Sequence, residues 1–239
     1  MRKVELHVHT RYSKDSALPL WLIYAICRLK RIDTIAITDH DTIQGAEAFS
    51  SYCSKRGNRV SVIIGEEIMT QEGEIIGLYI TQEIPQGLSP EETVDRICQQ
   101  GGVVYVPHPY DVKRHKTVLK DFALEKISHK VDCIECHNGR NISEHYSDEQ
   151  QAIAEKYHLT KVIGSDAHTW FELGRNYMLL ETEDLSESAL FKEALPSAVM
   201  HKKECMRFSH QMTRVVRVLK RIKEGQYREI AETMKQKRN

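Results

Sequence analysis

No stretch of this sequence approaches the ~20 consecutive apolar residues that a membrane-spanning helix requires. The opening residues, MRKVELHVHT, lack the apolar core of a signal peptide, so a cytoplasmic location with no membrane partner is expected. Six cysteines (Cys27, Cys53, Cys98, Cys133, Cys136 and Cys205) are scattered without a framework, which argues against a disulfide scaffold. Cys133 and Cys136 do form a C-x-x-C, but inside the strand-like segment VDCIECH rather than at a turn or helix start, so reduced thiols are expected there. Net charge is absent too, with Lys+Arg and Asp+Glu equal at 34 each. The chain as a whole therefore carries no polyanion-binding signature. Linkers, internal repeats and low-complexity segments are also lacking. One domain of ordinary soluble composition, with a helical C-terminal extension, accounts for the 239 residues.

The charge balance conceals an asymmetry. Residues 201–239 carry twelve Lys/Arg against four Asp/Glu, and the preceding 200 residues carry the compensating negative surplus. Within this basic extension Val215, Val218, Leu219 and Ile222 fall at helical spacing, which predicts a helix packing its apolar side on the protein with a solvated basic face. A polyanion-attracting surface is the other reading. Aromatic residues for base stacking are few, Phe208 and Tyr227, which weakens a nucleic-acid role.

Short Val/Ile-rich runs alternate with helical patterns along the rest of the chain. KVELHVH, IDTIAITDH, RVSVIIGEEI, GEIIGLYIT, GVVYVPHP, VDCIECHN and TKVIGSDAH read as strands without polar alternation, as buried parallel strands do. Between them, SPEETVDRICQQGG has a complete set of helix signals. Ser89 is the N-cap, Pro90 takes the first position, Glu92 closes a capping box and Gly101 stops the helix. Repeated βα units of this length imply a parallel sheet or barrel.

Metal-competent residues concentrate at the carboxyl ends of these strands. They are His7 and His9, Asp39 and His40, Glu66 and Glu67, His108, and Asp166 and His168. In a parallel barrel those ends converge on one face, where active sites are built. Residues i and i+2 of a strand point the same way, so His7 projects with His9 and Asp166 with His168. Buried imidazoles and carboxylates must hydrogen-bond one another or ligate metal, and several such clusters at strand ends favour metal. Nitrogen and carboxylate ligands without thiolate suit Zn, Mn or Fe. The ligands are too numerous for one tetrahedral ion, so two or three divalent ions ~3.5–4 Å apart are expected.

The segments HVHT, AITDHDT, GEEI, VPHP and GSDAH, in this order, resemble the signature motifs of the PHP (polymerase and histidinol phosphatase) superfamily. The resemblance runs through LGRNYMLLE. It implies an α/β fold, a distorted (β/α)7 TIM-like barrel, over residues 1–200, followed by the basic helical extension, 201–239, packed on or following the barrel. It also implies up to three metal ions. His7, His9, Glu67 and Asp166 would serve the first, and Asp15, His40 and His168 the third. Glu67 would bridge to a second ion shared with His108. Glu74 stands where many relatives carry a histidine, which would make that site harder and more anionic.

His40, Asp166 and His168 are expected to carry catalysis. Asp39 is expected to orient an imidazole, while Glu66, pointing the other way, is structural. His137 is open between orienting, substrate-contacting and plain polar roles. Among the loop cations Arg11, Lys14, Arg114, Arg140 and Arg175, the first choices for binding phosphate are Arg114 and Arg140. His115, His129, His145, His158, His201 and His210 read as surface residues.

The expected function is a metal-dependent phosphatase or phosphodiesterase, acting on a small phosphorylated metabolite or nucleotide through attack of a metal-bridging hydroxide. A 5'-3' exonuclease or oligonucleotide phosphodiesterase and a non-catalytic metal-binding module are the alternatives.

Overall fold

In the computed structural model, described for residues 1–111, 114–205 and 208–223, the Val/Ile-rich runs form strands wherever their side chains can be buried on both faces. Strands β1 (Arg2–Glu5), β2 (Thr34–Ile37) and β3 (Ser61–Thr70) pair in parallel. So do β5 (Val103–Val106), β6 (Cys133–Asn138) and β7 (Thr160–Gly164). Between these two sets lies β4 (Gly73–Leu78), antiparallel to both β3 and β5. The ring closes beyond the strand ends, where Val8 bridges Ala167 in parallel fashion and His9 N–H donates to the Ala167 carbonyl at 2.9 Å.

The fold is thus a distorted TIM-like barrel of seven strands, and the distortion is local. β3 and β4 form a hairpin where a regular barrel would insert a helix. Gly73 at its corner has φ +127°, and a Cβ there would lie 2.4 Å from the Leu119 backbone. The hairpin register sets Met69 opposite Glu74 and Glu67 opposite Ile76, which brings the two carboxylates onto neighbouring strands.

Helices α1 (Leu20–Lys30), α2 (Gln44–Ser54), α3 (Pro90–Gln99), α4 (Asp121–Ile127) and α5 (Glu144–Lys156) cover the sheet. α3 forms as its sequence signals dictate. Ser89 and Glu92 make a reciprocal capping box at 3.2 Å each way, and Gly101 follows in the left-handed region at φ +71°. Two strands were not foreseen as such. β8 (Tyr177–Leu180) adds antiparallel to β1, and β9 (Val199–His201) adds to β8 after helix α6 (Ser188–Ala194). β9 runs across the expected boundary at residue 200. The barrel interior below the strand ends is filled by Val4, Leu6, Ile76, Leu78, Tyr105, Val162, Met178 and Phe191, all fully buried.

The C-terminal extension forms helix α7 (Ser209–Lys223), but it presents the opposite face to the one expected. Val215, Leu219 and Ile222 are 58%, 59% and 40% exposed, whereas Ser209 and Thr213 are buried. The reason is what lies beneath: a polar rim of carbonyls, a carboxylate and a guanidinium, on which hydrogen-bonding side chains are better partners than apolar ones. The rest of the extension, 224–239 with Tyr227, lies outside the described residues. Among the described residues no helix is long and apolar enough to cross a membrane.

Phe191, from α6, is expected to be a keystone of the lower core. Phe191→Ala should cost about 3–5 kcal/mol, read as a lower urea midpoint with an unchanged slope; a change under about 1 kcal/mol would show that the core does not depend on it.

Candidate metal centre

His7 and His9 follow β1 on an extended segment, and their side chains do point together, with the two Nε2 atoms 3.1 Å apart. Asp15 returns to the same place because its loop is tied down. Ser16 Oγ donates to the carbonyls of His9 and His168, both at 3.0 Å. His40 follows β2 and is bridged to Glu67, with Glu67 N–H donating to the Asp39 carbonyl at 3.1 Å. His108 and Asp166 follow β5 and β7 in the left-handed backbone region, at φ +29° and +51°. That conformation is uncommon outside glycine, with Asp and His among the side chains that adopt it more readily, and here it follows both strand ends.

All nine candidate ligands meet in one largely buried cluster. Its donor atoms fall into three sets that could each hold an ion: His7, His9 and Asp166; His9, Asp15, His40 and His168; and His40, Glu67 and Glu74. His9 and His40 each belong to two of these sets, and Glu67 is the carboxylate that faces four of the five histidines. Its Oε2 lies 3.4 and 3.3 Å from the Nε2 atoms of His7 and His9, and 3.2 Å from His40 Nδ1. Its Oε1 lies 3.0 Å from His108 Nε2. Asp15 faces His168 Nε2 at 3.2 Å and His40 Nε2 at 3.4 Å.

The electrostatics of this cluster call for cations. Burial alone would keep His7 and His9 neutral, but neighbouring carboxylates outweigh it. Glu67, Glu135 and Asp166 hold the His7 pKa well above its usual range, and Asp166 and Glu67 push His9 up to about 9. Against the same burial, Asp15 and Glu67 are held well below the carboxylate range by neighbouring histidines. Asp166 is held there by Arg114 first. Glu74 goes the other way: burial, and the Glu67 charge beside it, raise it well above the ordinary value. Neither Glu74 oxygen makes a hydrogen bond among the described residues, and His40 Nδ1 makes none either. Buried polar atoms without partners are rare and costly. A divalent cation between Glu74, His40 and Glu67 fits the donors present.

Around the ligands lies a shell of orienting groups. Glu135, on β6, accepts from His7 Nδ1 at 2.8 Å, from His108 N–H at 2.7 Å, from Asn138 Nδ2 at 2.8 Å and from the Tyr105 hydroxyl. It fixes the His7 ring so that Nε2 faces the cluster. Sequence reasoning missed it, although a carboxylate inside an otherwise apolar strand was an available signal. The β6–β7 pairing shifts register between Glu135 and His137, so the two do not share a direction. His137 instead meets Ser147 on α5 at 2.7 Å.

Asp39 orients no imidazole. Both its oxygens accept from Thr10, N–H and hydroxyl at 2.6 Å each, so it fixes the turn that follows His9. Gly45 leaves the necessary room, since a Cβ there would lie 1.8 Å from Asp39 Oδ2. Glu66 accepts from Ile84 N–H at 2.9 Å, which bears out its structural reading.

The loop cations divide. Arg114 Nη2 lies 2.5 Å from Asp166 Oδ2, and Arg140 Nη1 lies 2.8 Å from His168 Nδ1. Arg11 lies exposed beside the Tyr12 ring, Lys14 pairs with Asp41 at 3.3 Å, and Arg175 donates to the Glu204 carbonyl at 3.2 Å. Among the described residues none of these three forms a hydrogen bond or ion pair with a candidate ligand, although the Lys14 charge acts on Glu74. His210, expected at the surface, is part-buried on the Arg140 carbonyl at 2.9 Å.

Comparison with known proteins bears on this arrangement. The PHP domain family model matches residues 5–189, well over half of the chain. This chain belongs to the PHP domain family. Two uncharacterized proteins of Methanocaldococcus jannaschii are similar to it. One is 45% identical over 118 residues, covering 45% of this chain and 68% of that protein. The other is 36% identical over 178 residues, covering 74% and 69%. A two-domain Bacteroides vulgatus protein, containing a predicted PHP-like metal-dependent phosphoesterase, superposes with a TM-score of 0.64 at 16% identity, over 84% of this chain and 64% of that one. This chain spans a little under two thirds of that protein's length, and the likeness is one of fold.

Two outcomes follow for this PHP domain. Glu135→Gln, which keeps the shape but removes the charge behind His7, should weaken divalent-metal affinity roughly 10–100-fold in a chelator competition; unchanged affinity would remove Glu135 from the centre. Glu74→Gln should leave the metal-free protein at least as stable as wild type, yet gain less in melting temperature when Mn or Zn is added. An equal gain would mean that Glu74 holds no ion.

Proposed function

We propose that this PHP domain is a metal-dependent phosphoesterase that hydrolyses phosphate esters of a small metabolite or nucleotide. The reading rests chiefly on Glu67, a buried carboxylate whose Oε2 faces His7, His9 and His40 while its Oε1 faces His108. Such sharing suits two or three closely spaced divalent ions, with Zn, Mn and Fe all compatible with the donors. The assignments are His7, His9, Glu67 and Asp166 for one ion, Asp15, His40 and His168 for another, and Glu67, Glu74 and His108 for a third. When bound, divalent ions supply a water of lowered pKa and neutralise charge on the phosphoryl oxygens.

The remaining work falls to the protein's own side chains. Asp166, set by its left-handed backbone, anchors Arg114 at the edge of the cluster. His168 Nδ1 lies 2.9 Å from the Asp166 carbonyl and 2.8 Å from Arg140 Nη1, and the guanidinium can only donate. Ligation through Nε2 requires the proton on Nδ1, directed at the carbonyl. Arg140 is then left without an acceptor there and is available to an anionic oxygen. Arg114, whose Nε and Nη2 are held by Asp111 and Asp166, and Arg140, whose Nη2 is held by Thr213, would thus each present a fixed guanidinium to the non-bridging phosphoryl oxygens. His40, whose two ring nitrogens face different ligand sets, and Asp166 and His168 carry the catalytic geometry.

The oligonucleotide alternative drew on the basic extension. Of that extension, Arg217 and Lys220 turn inward onto the protein rather than outward to form a nucleic-acid track.

Metal-loaded protein should hydrolyse an aryl phosphate, and lose that activity with a chelator. Asp166→Asn and His40→Ala should each lower the rate by roughly two orders of magnitude or more. Metal-loaded protein inert towards aryl monoesters and diesters alike would overturn the enzyme reading in favour of a non-catalytic module.

A further inference from the structure

Helix α7 lies beyond the family-matched residues, yet it is fastened to the metal centre itself. Arg217 Nη2 donates to Asp15 Oδ2 at 2.7 Å. Lys220 Nζ donates to the carbonyls of Arg11 at 2.7 Å and Ser13 at 2.5 Å, in the loop that delivers Asp15. On the opposite loop, Arg140 Nη2 donates to Thr213 Oγ1 at 2.8 Å, and His210 sits on the Arg140 carbonyl at 2.9 Å. The helix therefore spans the rim from the β1 loop to the β6 loop, touching both with polar atoms.

Apolar burial does not explain this docking. Met212, Val215, Leu219 and Ile222 are between 40% and 59% exposed, while Ser209 and Thr213 are buried. The helix is held where it is by what its polar side can reach. Arg217 is the member of that side that reaches a candidate ligand, and 44% of its side chain remains open to solvent.

Three guanidinium groups thus ring the cluster, each on a different ligand residue: Arg114 on Asp166, Arg140 on His168 and Arg217 on Asp15. Asp15 uses Oδ1 towards His168 and Ser13, while its Oδ2 lies 3.4 Å from His40 Nε2 and accepts from Arg217 at 2.7 Å. A half-exposed cation held against a carboxylate of a candidate ligand is placed to meet an incoming anion.

We propose that Arg217 is a substrate-binding residue, delivered by α7 to contact a phosphoryl oxygen, and that α7 thereby forms a wall of the substrate pocket. This rests on the phosphoesterase reading above, and favours substrates with a compact terminal phosphate that fit beneath the helix. Arg217 on Asp15 and Arg114 on Asp166 would then each offer a guanidinium to the same phosphate.

The test is titration calorimetry of inorganic phosphate into the full-length, metal-loaded protein, with metal content measured in every sample. Arg217→Ala should weaken phosphate binding about tenfold or more, with metal content unchanged, and Arg217→Lys should recover only part of the loss. Wild-type affinity should fall more steeply with added salt than that of the alanine variant. Arg214→Ala, at an exposed position of the same helix, should stay within about twofold of wild type. Phosphate affinity unchanged or tighter in Arg217→Ala would overturn the proposal, as would wild-type protein that loads metal but binds no phosphate. Phosphate binding that depends on Arg217 in a protein that hydrolyses no ester would instead defeat the phosphoesterase reading alone.

Discussion

Everything in this molecule turns on the cost of bringing four carboxylates and five imidazoles into one dry space. Asp15, Glu67, Glu74 and Asp166 meet His7, His9, His40, His108 and His168 with little or no solvent access. Removing such groups from water is expensive unless each finds a partner of opposite charge or a hydrogen bond. Protonated histidines satisfy part of the demand, as the raised pKa values of His7 and His9 show. They form no hydrogen bond to Glu74, although His40 and His108 lie 3.4 and 3.5 Å from its oxygens, and burial with the Glu67 charge raises its proton affinity. The site is complementary to multivalent cations and only partly content with protons.

The barrel makes this concentration possible by supplying rigid supports from separate strands. Seven strands converge on one rim, and the ring is closed by backbone bonds between the His7–His9 segment and Ala167, at the site itself. The lower interior is packed with aliphatic and aromatic side chains, which fix the strand ends from below. Glu135 joins the two layers, rooted among Tyr105 and the β6 backbone and reaching His7 and His108. Polar side chains so heavily over-determined hold their positions before any ligand arrives, which is the preorganisation that metal sites require.

Much of this was legible in the sequence because strand periodicity and metal-ligand chemistry are local. The i, i+2 pair His7/His9, and the clustering of acids and imidazoles at strand ends, needed no tertiary information beyond the barrel, whereas Asp166 lies beyond β7 in the left-handed region, not in the strand geometry expected. The His7 and His9 rings share a direction, and Arg114 and Arg140 lie beside the candidate ligands Asp166 and His168. What escaped depends on long-range geometry. The antiparallel course of β4 cannot be read from an apolar run alone, yet it places Glu74 beside Glu67. The bulge that separates Glu135 from His137 leaves no mark in an alternation pattern. Asp39 was misassigned because proximity in sequence to His40 suggested a partner that Thr10 supplies. Helix α7 was read with its apolar stripe inward, a rule that holds when the surface beneath is apolar. Here it is a ring of carbonyls, Asp15 and Arg140, so the rule inverts.

The claim at the centre of this account is that the buried cluster is a multi-ion binding site. Native mass spectrometry of the full-length chain, equilibrated with Mn, Zn or Fe(II) and then freed of excess metal, counts the ions directly. Two or three retained per chain, falling on substitution of Glu67 by Gln, is the predicted result. A chain that retains none, or retains one regardless of Glu67, would contradict it.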